Sequence, residues 1–119
     1  MTELNEVNLI NDFLCKQVKM NFKLYHIGGS AIEILGFLEE DGSNKIKIIF
    51  NQPYMMLCTF SFIYKGKGDF LSLVENDKAI ELNKQYGIIK GNKIYRISNT
   101  DMNDDMYIAA QRLEVRIME

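Results

Sequence analysis

The chain has 119 residues, about the size of one compact domain, and its 47% apolar, 25% charged and 11% aromatic residues suit a packed core, which excludes disorder throughout. Acids number 16 and bases 14, and the resulting net charge of -2 lacks the cationic excess that phosphate backbones demand of nucleic-acid binders. We read residues 1–119 as a single globular domain.

Leu4, Val7, Ile10 and Leu14 recur at three and four residues with Phe13 beside them, while Asn5, Glu6, Asn8 and Asp12 take the other side. This spacing predicts an amphipathic helix from about 3 to 18, with Thr2 as its N-cap. After Lys19 the period changes to two. Residues 22–27 and 31–39 read as strands around Gly28-Gly29-Ser30, and Asp41-Gly42 gives a hairpin signal before a strand over 45–50. Pro53, the only proline, precedes Tyr54 to Tyr64, which reads as one long central strand. Residues 65–69 are a loop, and 70–76 fit a strand or the start of a helix equally well. A short helix is expected over 77–86, with Gly87 in the position that ends many helices. Residues 88–90 and 93–98 flank Gly91-Asn92 as a hairpin, 99–105 form a polar loop, and 106–110 and 113–118 close the chain as two strands. The fold class is therefore α+β: mainly an antiparallel sheet of hairpin-connected strands, an N-terminal helix covering one face, and one short central helix.

The residues assemble no recognisable catalytic set. A Ser-His or Cys-His mechanism must run through the single His26, whose parity with Phe22 and Leu24 predicts a structural histidine in or near the core. Cys15, Cys58 and His26 are too few and wrongly spaced for a zinc site. Asp101 to Asp105 superficially resembles the opening of a calcium loop, but Met106 and Arg112 stand where an EF-hand needs Gly and Glu. The Gly66-Lys67-Gly68 loop lacks the remaining features of a phosphate loop, and Gly28-Gly29-Ser30 reads as a strand-connecting turn. Glu33 reads as a solvent-facing strand residue. No cofactor and no metal is expected.

Two cysteines cannot form the disulfide framework of a small secreted domain, so Cys15 and Cys58 are expected to be buried free thiols. The acidic, polar start Met1 to Glu6 is unlike a secretory signal, and the apolar run Tyr54 to Tyr64 is about half the length of a membrane helix. A soluble cytoplasmic setting without membrane contact is expected. Charge is sorted along the chain: residues 1–44 sum to -4, 45–96 to +5 and 97–119 to -3. Acids gather in two predicted loops, Glu39-Glu40-Asp41 and Asp101, Asp104 and Asp105, where they would speed association with a partner and reject wrong ones.

The order of helix, strand, Gly-containing turn and Asp-Gly hairpin, from Tyr25-His26-Ile27-Gly28-Gly29 through Ile48-Ile49-Phe50 to Ile94-Tyr95-Arg96-Ile97, Tyr107-Ile108-Ala109-Ala110 and Leu113-Glu114-Val115, resembles small cytoplasmic immunity proteins of bacterial toxin systems. The resemblance covers much of the chain as pattern and carries no diagnostic motif. It implies a non-enzymatic protein that binds one cognate toxin and occludes it. On that reading the partner-binding residues are Glu39, Glu40, Asp41, Asp101, Asp104 and Asp105, with Tyr107 as an aromatic anchor. The net charge departs from the strongly acidic members that mimic nucleic acid. A second reading is a small-molecule-binding domain or small enzyme with a sheet-lined pocket near His26, Cys58 and Tyr54. A third, compatible with either, is a homodimer formed through an exposed strand edge.

Overall fold

A computed structural model describes residues 2–17, 19–66 and 68–118, with side chains from residue 5 onward. Helix α1 (Thr2–Leu14) precedes strands β1 (Met20–Gly28), β2 (Ala31–Phe37), β3 (Asn44–Leu57), β4 (Ser61–Tyr64) and β5 (Leu71–Leu73). Helix α2 (Asn76–Tyr86) and strands β6 (Lys93–Ile97) and β7 (Met106–Ile117) follow. The strands form one curled antiparallel sheet in the order β4-β1-β2-β3-β7-β6-β5, so the class is α+β, with an N-terminal and a central helix.

Register puts one set of side chains on the inner face. Phe22, Gly36, Ile46 and Ile117 stand in one row across β1, β2, β3 and β7, and Leu24, Ile34, Ile48 and Val115 in the next. Val7, Ile10 and Leu14 of α1 are buried over this face, where Phe22 stacks on Phe70 with ring centroids 4.6 Å apart. Each such fully buried side chain contributes about 1.5–3 kcal/mol. On the opposite face a smaller cluster packs Leu82 of α2 with Val74, Ile94 and Ala109. Gly87 ends α2 in the left-handed conformation, φ 61°, and its N-H donates to the Asn83 carbonyl at 2.8 Å.

The curl brings distant segments together. Tyr64 at the end of β4 bridges Thr100, and the Lys65 and Asp101 N-H groups donate to the Asn99 and Ile63 carbonyls at 3.0 and 2.9 Å. At the other margin the Asn11 side chain of α1 caps β5: its Oδ1 accepts the Phe70 and Leu71 N-H groups at 2.9 and 3.0 Å, and its Nδ2 donates to the Leu71 carbonyl at 2.8 Å. One asparagine amide thus supplies partners at the start of an edge strand.

Several expectations are corrected. α1 stops at Leu14, because Lys16 and Gln17 make tighter i→i-3 bonds to Phe13 and Leu14; Cys15 beyond it is exposed rather than buried. Thr2 as a cap and Leu4 on the apolar face fall outside the described side chains, and residue 18, the expected helix end, outside the described residues. The strand expected over 54–64 is divided: 54–57 continue β3 through Pro53, and 61–64 form β4 at the sheet margin. Pro53 is tolerated inside β3 because the register shifts there, next to Gln52 at φ 53°, so no ladder N-H is missed. The open segment 70–76 contains β5, residues 88–90 form no strand, and β7 is continuous where two strands were expected. His26 does not share the face of Leu24. A bulge at Tyr25 breaks the alternation, and Tyr25, His26 and Ile27 are all exposed.

Candidate interaction surface

The two acidic loops line different depressions. A cleft of about 750 Å³ is lined by Glu39 and Glu40 together with Lys16, Lys19, Asn21, Phe37 and others; Lys19 pairs with Glu39 at 3.6 Å, so its charges are largely matched from within. Asp41 holds its own turn: it accepts the Ser43 N-H at 2.9 Å and the Ser43 hydroxyl at 2.8 Å, and these bonds hold its carboxyl below the ordinary range.

The second loop is divided between structure and surface. Asp101 accepts the Ile63 N-H at 2.8 Å, which makes it part of the seam between the 99–101 segment and β4. Asp105 pairs with Arg96 at 3.6 Å. Tyr107 is half-buried with Arg96 and Lys78 at 5.9 and 5.5 Å from its ring centroid, so it packs within the α2 cluster rather than standing free as an anchor. Asp104 and Glu40 make no hydrogen bond or ion pair among the described residues, and both are exposed.

Asp104 and Asp105 border a shallow groove of about 400 Å³ whose remaining lining is Leu57, Cys58, Thr59, Met102, Asn103 and Met106. Methionines adapt to irregular partners, and Asp104, with Asp105 already matched by Arg96, gives this apolar floor a negative rim. Burial pushes the Cys58 thiol up to about 12, so it stays protonated and unreactive at neutral pH. His26 lines neither this groove nor the smaller one of about 220 Å³ that holds Tyr54, and Cys58 and Tyr54 fall in different grooves, so neither of these two grooves gathers the three residues.

A feature beyond the acidic loops dominates this end of the molecule. Phe60 is 76% exposed, and Tyr25, Ile27, Tyr54 and Leu57 are also exposed; all five lie on the distal part of β1, the distal part of β3 or the turn to β4. The signal was present in the sequence: residues 24–32 and 48–64 contain no charged side chain, although a quarter of the chain is charged. Charge-poor, aromatic and Met-bearing surface is the composition of an interface core, with charges confined to its rim. Comparison with protein-family models, with curated proteins and with solved structures yields no match.

Proposed function

We propose that this chain is a non-enzymatic binding protein that neutralises a cognate bacterial toxin in the cytoplasm by occluding it, in the manner of small immunity proteins. The observation that supports this reading is the exposed apolar surface at the turn from β3 to β4, where Phe60 and Leu57 stand beside the groove that Asp104 and Asp105 border. Aromatic and aliphatic side chains at the centre of such a surface supply affinity by desolvation, while rim acids supply orientation and association rate. Occlusion needs no reactive group.

The test is coexpression with each neighbouring gene product that is toxic when expressed alone, followed by calorimetry on the purified pair. Growth is rescued by the native chain; F60A lowers affinity about tenfold or more without lowering the melting temperature, since that ring makes little of the core. D104K slows association at low salt, and the effect fades as salt rises. A toxin that forms no complex, or a complex indifferent to both substitutions, overturns the proposal.

A further inference from the structure

The groove that Asp104 borders restricts what can enter it. Leu57, Met102 and Met106 supply apolar surface, and the side-chain polar groups beside them are already spent: the Cys58 thiol donates to the Thr59 carbonyl at 3.3 Å, and the Thr59 hydroxyl donates to the Ser61 carbonyl at 2.9 Å. A polar group entering here gives up water for no partner, whereas an apolar one gives up nothing. At about 400 Å³ the groove falls within the range of cavities that seat compact ligands, room enough for a large side chain. Thioether sulfur favours the edge of an aromatic ring, and two methionines stand in the lining; Phe60, next in the chain to Thr59 and 76% exposed, offers a further ring face.

The rim restricts charge. Residues 99–105 hold Asp101, Asp104 and Asp105 and no base. Asp105 is matched by Arg96 at 3.6 Å and Asp101 accepts the Ile63 N-H, but Asp104 is exposed and makes no hydrogen bond or ion pair among the described residues. An acid brought to this rim meets like charge, and an uncharged group leaves the carboxylate beside apolar surface. A cation pairs with it at the edge, where both ions keep most of their water.

We propose that the groove recognises an aromatic side chain of a protein partner with a lysine or arginine beside it, the ring entering over Met102 and Met106 and the cation meeting Asp104. This inference rests on the reading of this end as the partner-binding surface and names what the partner presents there. The ring supplies affinity, the cation supplies orientation, and a ring flanked by acids is turned away.

The chain contains no tryptophan, so the indole of a probe peptide reports its own binding. The probes are the acetylated tripeptide amides Lys-Trp-Lys, Glu-Trp-Glu and Lys-Leu-Lys, each added to the full chain. Lys-Trp-Lys fluorescence moves to the blue, and the Met102 and Met106 methyl resonances move upfield to saturation, while those of Met55 and Met56 in the smaller groove stay in place. Glu-Trp-Glu binds about tenfold or more weakly, and Lys-Leu-Lys binds more weakly than Lys-Trp-Lys. D104K inverts the preference between the two tryptophan peptides with circular dichroism unchanged. The proposal is overturned by the absence of a saturable shift, by a charge preference that survives D104K, or by the same methyls moving as the chain alone is concentrated, which would put a second copy in the groove. A toxin complex that depends on Phe60 and Asp104 while the peptides fail removes only this recognition chemistry; peptides that bind where no neighbouring gene product is toxic remove only the toxin reading.

Discussion

Gly36 shows how little slack the inner face has. A Cβ there would lie 2.6 Å from Ile46 Cγ2 and 2.9 Å from Phe22 Cε1, both side chains held in the packed core. G36A should therefore cost about 1–3 kcal/mol, read as a lower urea midpoint with an unchanged slope. The backbone is not the reason for this glycine, since its φ is not positive; the neighbouring side chains occupy the space where a methyl would go. The cysteines make a complementary case. Both interrupt apolar patterns, yet Cys15 falls past the helix end into solvent while Cys58 is half-buried with its thiol pushed up to about 12. Iodoacetamide at mildly alkaline pH should label Cys15 at least about tenfold faster than Cys58 by peptide mass spectrometry, and equal rates would refute that contrast. His26 went astray for a related reason: parity carries a face assignment only as far as the first bulge, and Tyr25 is that bulge.

Among the elements, the hairpin at Asp41-Gly42 and the helix ending at Gly87 were legible because each is written in adjacent residues: a turn pair, a left-handed glycine and a period that holds for several residues. What failed to read were continuities. β3 passes through a proline, and β7 passes through Gln111 and Arg112, both exposed; local signals for a break were real, but pairing along the long β3-β7 ladder overrode them. β5 could not be told from a helix because its stability comes from outside itself, from Ile97 to Tyr95 of β6 on one side and Asn11 on the other. N11A leaves two N-H groups and a carbonyl without their amide partner, so it should cost about 1–3 kcal/mol, and exchange at Phe70 and Leu71 should quicken more than exchange in β2. Uniform acceleration everywhere would mean that the amide holds the whole fold rather than that margin.

At the scale of the molecule, the sequence told the class but not the closure. Nothing local announces that Tyr64 will meet Thr100 or that Asn11 will meet Leu71, because such partners are fixed by the curvature of the whole sheet. The acids marked in the sequence part company in the fold: Asp104 and Asp105 border a groove, whereas Asp41 and Asp101 are spent on a turn and a seam. Two uncharged segments distant in sequence, 24–32 and 48–64, are brought together by the fold at one groove, where Ile27 meets Tyr54 and Met56. The central β3-β7 pairing also bears on how the chain is made. β3 reaches β7 only after about fifty further residues, so a ribosome adding about 5–20 residues per second exposes one flank of the growing meander for roughly 3–10 seconds. In that interval the hydrogen-bonding groups of β3 that await β7 are open to any neighbouring nascent strand, and crowded polysomes become the setting in which this architecture is most vulnerable to mispairing.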